Sequence, residues 1–442
     1  MNDYIDNNVE KLLEITQRIL RVRSVESEAS PGAPFGEGVK EALHVALEIS
    51  KALGFKAVNL DDVLGYAEFG EGNEIVSVLG HLDVVPEGKG WDYPPYGAEI
   101  HNGKMYARGA IDDKGPTMAA LFGLYAIKEL KLPIRKRTRI IFGTNEESGW
   151  KCMDYLKEKV KDPLIGFAPD GKFPIINREK GILNITIKKD FSNRNDDIII
   201  AGGERPNMVP DYAEALLKNK LIPGFDSTDI TIEGDKIIAK GISAHGALPE
   251  KGKNAISILM GALKNIELNP EVKEVIDFIN KHVGFEVNGE SLGIDFSDSF
   301  SGKLTVNLGL INMNENFASF TFNIRYPVSV KSEKVIEGIY KTLSPYSLKI
   351  AETRDQKPLF VDEDSTLVKA LLSVYSEETQ KPPYTLSIGG GTYARAMDVG
   401  VAFGPTFPDM EDVEHMANEY IGIDHLKQLS KLYGKAIYAL AK

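Results

Sequence analysis

Cysteine is almost missing from this sequence: Cys152 stands alone among 442 residues. No disulfide can form within the chain, and a reducing compartment, the cytoplasm, is the expected location. Long apolar runs are missing too. None approaches the roughly 20 residues that a bilayer-crossing helix needs, and Met1 to Arg23 spaces Ile5, Val9, Leu12, Leu13, Ile19 and Leu20 at helical intervals between charges. That stretch is expected to be an amphipathic helix rather than a signal peptide. Positive charge is in deficit, with 52 bases against 64 acids and a net charge of −12. Neither nucleic acid nor an anionic membrane is therefore expected as a partner. Internal repeats and low-complexity tracts are lacking, which sets aside solenoids and disordered linkers. What remains, 43% hydrophobic and 26% charged residues, is the composition of a globular protein. Its length predicts two or three domains.

The informative stretches share one design, in which a strand-like run ends and an acid or histidine follows. Ile75 to Leu79 reads as a buried parallel strand that delivers His81 and Asp83 at its exit, within Leu79-Gly80-His81-Leu82-Asp83-Val84-Val85-Pro86. Side chains two apart on extended backbone point the same way, so Asp83 can bond one ring nitrogen of His81 while the other faces a metal. Lys104 to Tyr106 reads as a short strand before Ala107-Arg108-Gly109-Ala110-Ile111-Asp112-Asp113-Lys114-Gly115-Pro116 and a helix carrying Met118, Leu121, Leu124, Tyr125 and Ile127. Pro116 suits a first helical turn, and one of the two aspartates explains itself as a cap. Thr138 to Gly143 leads into Thr144-Asn145-Glu146-Glu147-Ser148-Gly149, where paired glutamates can split the work of metal ligand and proton carrier. Leu164 to Ala168 ends in Pro169-Asp170-Gly171. Each instance alone reads equally well as a capped turn or a solvated acid. Four in series place ligand-type side chains at the carboxyl edge of an open α/β sheet.

Beyond about Phe173 the pattern turns to alternating, half-exposed strands at Lys180 to Lys189, Ile198 to Ile200, Leu304 to Ile311 and Ala318 to Arg325, with a hairpin at Gly234-Asp235. Helices are expected at 255–266, 271–281 and 332–343. This reads as an α+β domain inserted into the first. Near Tyr384 to Ile388 a buried strand returns, leading to Gly389-Gly390-Gly391-Thr392-Tyr393, and an amphipathic helix closes the chain from Asp424 to Leu440. The expected organisation is a catalytic domain in two parts, 1–172 and 384–442, around an insertion at 173–383.

Glu414-His415-Met416-Ala417-Asn418-Glu419 brings a histidine late in the chain. If it returns to the sheet edge it completes a set of His81, Asp112, Glu147, Asp170 and His415. Two imidazoles with three carboxylates suit zinc, with cobalt or manganese as alternatives by ligand type. Five ligands exceed one tetrahedral ion and fit two ions about 3.5–4 Å apart that share a carboxylate. At this point the chain resembles the dinuclear zinc exopeptidases of the carnosinase, aminoacylase and desuccinylase superfamily, and within them the PepV-type dipeptidases. The blocks that carry the likeness are Gly80 to Pro86, Ala107 to Gly109 with Asp112 to Gly115, Asn145 to Gly149, Pro169 to Gly171, and Gly389 to Arg395 with His415.

The resemblance implies an α/β zinc-exopeptidase-like catalytic domain whose inserted lid is of double size, roughly twice the length of a single ordinary lid and longer than one small domain usually needs. It implies that His81, Asp112 and Asp170 hold one ion and Asp112, Glu147 and His415 the other, with Asp112 bridging and its bond to Asp113 cis. Asp83 would orient His81, and Glu146 would be the general base. His245 in Gly241-Ile242-Ser243-Ala244-His245-Gly246-Ala247 matches the lid histidine that supports the oxyanion. Asn207 resembles the lid asparagine that fixes substrate, and Arg325 the arginine that grips its carboxylate. Gly390, Gly391 and Thr392 are expected to offer backbone N–H groups to that carboxylate at a helix start, and Asp113 is grouped with these substrate residues. His44, His101, His282 and His425 match no motif and are expected to be structural. The expected activity is hydrolysis of short peptides with free amino and carboxyl ends. The expected form is a monomer, in which the doubled lid lets His245 serve its own chain. An N-acyl amino acid or succinyl-diaminopimelate deacylase of the same superfamily, and a non-catalytic binding protein on the same fold, are the alternatives.

Overall fold

The computed structural model describes residues 1–218, 222, 224–225 and 227–442. The chain forms two compact units, residues 1–177, 361–386 and 392–442 in the first and 178–360 with 387–391 in the second. Among the described residues no helix is long and apolar enough to cross a membrane.

The first unit is built on a sheet ordered Lys56–Leu60, Leu64–Phe69, Arg137–Gly143, Ile75–His81, Ile165–Ala168 and Val399–Ala402. Its first two strands form an antiparallel hairpin, and the remaining four run parallel. Parallel strands must be covered on both faces, and the runs Val76 to His81 and Thr138 to Gly143 are buried throughout. The register pairs His81 with Gly143 and Ala402 with Ala168, so these strands end together at one edge. The helix Lys114–Glu129 is buried from Lys114 to Ile127, as a core helix should be, and the closing helix Ile423–Ala441 packs along it. Thr366–Thr379 also belongs here, since Leu367, Val368, Leu371, Val374 and Tyr375 sit in this core. Residues 361–383 therefore fall with the first unit and not with the insertion, because one apolar helix face joins them to its core.

Two further expectations change. Lys104–Tyr106 is no strand of the main sheet; it lies between Tyr420–Gly422 and Glu99–His101 in a separate three-stranded sheet. Asp112 thus reaches the site from a loop at a helix start and not from a strand exit. Leu386–Ile388 is a short strand and half-exposed, where a buried one was expected.

The second unit is an antiparallel sheet ordered Ile230–Glu233, Lys236–Lys240, Tyr212–Leu217, Ile198–Gly202, Thr305–Met313, Phe317–Tyr326, Gly181–Asp190 and Lys349–Gln356. One face buries Leu183, Ile185, Ile187, Phe320, Phe322 and Ile324 against the helices Ala255–Leu263, Pro270–His282 and Ser332–Leu343. Asn254 and Asn269 cap two of these helices with their side chains. The strand Lys349–Gln356 is exposed along nearly its whole length, so no apolar alternation marked it in the sequence.

Candidate metal centre and catalytic site

At the shared strand edge the first unit gathers the five expected ligands. His81 ends its strand fully buried, and its Nε2 lies 3.0 Å from Asp112 Oδ1. Asp112 Oδ2 is 2.9 Å from His415 Nε2, which is 3.3 Å from Glu147 Oε1. Ligand atoms of His81, Asp112 and Asp170 lie within 4.8 Å of one another, and so do those of Asp112, Glu147 and His415. The two groups share Asp112, whose peptide bond to Asp113 is cis as expected.

Charge explains why such a cluster suits cations. Burial and the neighbouring Asp112 charge push Asp170 up to about 7. Burial also raises Glu147 and lifts Glu146 well above the carboxylate range, the latter aided by Asp170. Burial opposes ionisation of Asp112, but bonds from His415 and His81 win and hold it low. Hydrogen bonds to Asp112 and Glu147 carry His415 up to about 11. Carboxylates crowded until they hold protons, beside imidazoles that take positive charge, are a donor set in which divalent cations would replace those protons. Borderline nitrogen and oxygen ligands in two groups of three fit zinc, cobalt or manganese.

The supports differ in part from expectation. His81 Nδ1 bonds the backbone carbonyl of Asp83 at 2.9 Å, while the Asp83 carboxylate stands 3.6 Å away. That carboxylate instead accepts from Glu147 N–H at 3.0 Å, so Asp83 fixes both ligands, one through its backbone and one through its side chain. Asp113 does not face substrate. It is fully buried, and its Oδ2 accepts from His81 N–H at 3.2 Å and from the Thr117 hydroxyl at 2.9 Å. Gly80 makes room for this: a Cβ there would stand 1.9 Å from Thr117 Oγ1.

Glu419 is a support that the motif reading passed over. Its buried carboxylate accepts from the N–H groups of Gly109, Ile111 and Asp112 at 2.9–3.2 Å and from Arg108 Nη1 at 2.7 Å. Arg108 Nη2 also donates to the His415 carbonyl at 3.3 Å, on a residue held at φ 61°. One ion pair thus ties together the loops that carry Asp112 and His415. Trp150 Nε1 donates to Glu146 Oε1 at 3.1 Å, and the Tyr393 N–H donates to Asp170 at 3.2 Å. Nothing in the local sequence singles out Glu419, whose partners lie more than 300 residues away. Nothing in spacing marks Trp150.

The second unit brings His245, Asn207 and Arg325 into one neighbourhood. Met208 and His245 form a backbone bridge, and Gly246 N–H donates to the Asn207 carbonyl at 2.7 Å. Burial and the Arg325 charge lower the His245 pKa, which favours a neutral ring. Ala247 N–H donates to its Nδ1 at 3.2 Å, so the ring proton sits on Nε2. Arg325 is buried, with Nε on Asn323 Oδ1 at 2.8 Å and Nη1 on the Gly389 carbonyl at 3.1 Å. Gly390 and Gly391 follow in this unit, and Thr392 opens the next segment of the first unit, where it is buried. The expected helix start after Thr392 is only a single tight turn, Tyr393–Ala396. His44, His101, His282 and His425 bond Asp62, Glu99, Ser291 with Tyr346, and Pro405, apart from these clusters.

A family model described as peptidase family M20/M25/M40 matches residues 78–439. "Putative dipeptidase YtjP" of Bacillus subtilis (strain 168) is 42% identical over 455 residues, covering 98% of this chain and 98% of its own. Aminoacylhistidine dipeptidase from Vibrio alginolyticus shares the fold with a TM-score of 0.62 at 12% identity over 96% of each chain. Human carnosine dipeptidase 1 does so with a TM-score of 0.59 at 16% identity, over 99% of this chain and 98% of that one. At such identities the two structures speak for the fold alone.

Proposed function

The chain belongs to peptidase family M20/M25/M40, and from that premise we propose that it is a cytoplasmic dipeptidase acting on short peptides with free amino and carboxyl ends. The observation that carries the reading is the pair of ligand groups joined through Asp112, with a protonatable, non-bridging Glu146 beside them. His81, Asp112 and Asp170 would hold one zinc ion and Asp112, Glu147 and His415 a second, with cobalt or manganese able to substitute. Ions in these positions would supply Lewis acidity, making a water more acidic and the scissile carbonyl more electrophilic.

The chain's own groups do the rest. Glu146 takes a proton from the attacking water and passes it to the leaving amine. Trp150 holds the carboxylate in place through Oε1. His245, with its proton on Nε2, donates to the carbonyl oxygen as negative charge develops there. Arg325 receives the substrate carboxylate and Asn207 helps to fix the peptide. Backbone groups of Gly390, Gly391 and Thr392 border that carboxylate seat in this reading. The insertion acts as the lid, and its His245 serves the site of the same chain, which makes the enzyme a monomer. Size-exclusion chromatography with light scattering checks this; a stable dimer would remove the in-cis assignment.

The deciding experiment is a panel of unblocked dipeptides and N-acetyl or N-succinyl amino acids, each assayed with zinc, cobalt and manganese. Turnover confined to the acylated compounds would replace the dipeptidase reading with the deacylase one. The Glu146→Ala variant should keep its metal content and lose about 10²–10⁴-fold in kcat. Full turnover in that variant would take Glu146 out of the mechanism.

A further inference from the structure

The second unit holds a row of asparagines that the scheme above leaves without a task. Asn184, Asn323 and Asn307 are direct partners across three adjacent strands, so their side chains share one face of the sheet, opposite the apolar face of Phe320, Phe322 and Ile324. A polar face usually meets water, yet Asn323 and Asn307 are each only 1% exposed. Buried amides need a reason.

Their bonds supply one. Asn323 Nδ2 donates to Asn184 Oδ1 at 2.7 Å, and its Oδ1 accepts from Arg325 Nε at 2.8 Å. A guanidinium only donates, so this contact fixes which way the amide faces. Asn307 Nδ2 donates to the carbonyls of Pro206 at 2.9 Å and Met208 at 2.7 Å, one on each side of Asn207. Two acceptors fix this amide as well, and its Oδ1 is left buried without a partner. Met208 in turn bridges to His245. The strand bulges between Leu308 and Leu310 to let the loop approach, and a Cβ on Gly309 would stand 2.3 Å from the Pro206 carbonyl.

We propose that Asn323 and Asn307 are positioning residues. Asn323 aims the Arg325 guanidinium, and Asn307 pins the loop of Asn207 and, through Met208, His245, so that carboxylate grip and oxyanion donor are presented in fixed register. The gain is preorganisation: neither group has to be ordered when substrate arrives. This rests on the roles given above to Arg325 and His245.

The test uses the full-length, metal-loaded enzyme and a dipeptide substrate. Asn323→Leu and Asn307→Leu are compared with Arg325→Ala, His245→Ala and the double variants Asn323→Leu/Arg325→Ala and Asn307→Leu/His245→Ala. Asn323→Ser and Asn307→Ser take their place if the leucine variants do not fold. The expected result is a split: Asn323→Leu raises KM about 10-fold with kcat nearly unchanged, and Asn307→Leu lowers kcat about 10- to 100-fold with only a smaller rise in KM from the loosened Asn207 loop. Each double variant should be no worse than its Arg325 or His245 parent. Additive losses, or equal effects on kcat and KM from both asparagines, would leave them merely structural and overturn the inference. Losses in Arg325→Ala and His245→Ala with wild-type kinetics in the asparagine variants would overturn it alone. Full activity in both of those parents would bring down the lid roles and the inference together.

Discussion

Removing metal should reverse the way this protein's stability responds to pH. In the metal-free cluster Asp170 is pushed up to about 7 by burial and the Asp112 charge, and Glu414 is pushed up to about 8 by burial and the same charge. Both carboxyls ionise near pH 4 in an unfolded chain. Their stabilising contribution is thus whole below pH 4 and drains away as pH rises through the folded values. Between about pH 5 and 7 the unfolded state has lost both protons while the folded state still holds them. Each costs about 1.4 kcal/mol per pH unit, so the pair removes about 5 kcal/mol across that window. The raised pKa of Glu146, from burial and the Asp170 charge, acts with the same sign. Carboxylates lowered by ion pairs, such as Asp190 at about 2 between Lys188 and Lys349, have finished titrating below pH 5 and do not oppose the trend. The assay is urea unfolding from pH 5 to 8, with chelator or with excess zinc. Metal-free protein should weaken steadily with rising pH. Zinc competes with protons for the same ligands, so its added stability should grow over that range. Chelated protein that gains stability from pH 5 to 7 would refute the crowded-carboxylate account of the site.

Two more outcomes follow from the supports. Glu419→Ala strands the buried Arg108 charge and should cost about 3–5 kcal/mol in urea unfolding, with metal affinity by calorimetry falling about 10- to 100-fold as the Asp112 and His415 loops loosen; unchanged affinity would confine Glu419 to stability. Gly80→Ala drives a methyl group into Thr117 Oγ1 and Asp113 Oδ2, so it should weaken metal binding through His81 without touching a ligand; a fully metal-loaded variant of wild-type affinity would show that this contact relaxes freely.

The clustering of the candidate ligands was legible because metal chemistry restricts residue type, and the strand pattern told where each type would surface. His81, Asp170 and the Glu146-Glu147 pair all follow strands whose ends align at one edge. Asp112 was found by its neighbours in sequence but given the wrong route, since a three-residue strand of a side sheet has the same local pattern as a strand of the main one. Roles that depend on where a polar side chain turns were harder to read. Asp113 carries the same carboxylate as Asp112, and only the burial of its side chain against Thr117 and His81 N–H separates a scaffold group from a binding one. Glu419 lies in the same motif as His415, yet its partners lie more than 300 residues away and no local period points to them.

The same contrast explains why the asparagine row went unseen. Alternation along Phe317–Tyr326 marks one face as apolar and lets the other pass as solvent-facing, so Asn323 reads as an ordinary exposed polar residue. Strand register, which sequence does not reveal, stacks Asn184, Asn323 and Asn307 into one row whose Asn323 and Asn307 are buried. A substrate grip aimed by such a row has its error set by the sheet and not by a flexible side chain. If Arg325, Asn207 and His245 take the roles proposed for them, rigidity at the sheet is what would let three separate segments of sequence act as one surface.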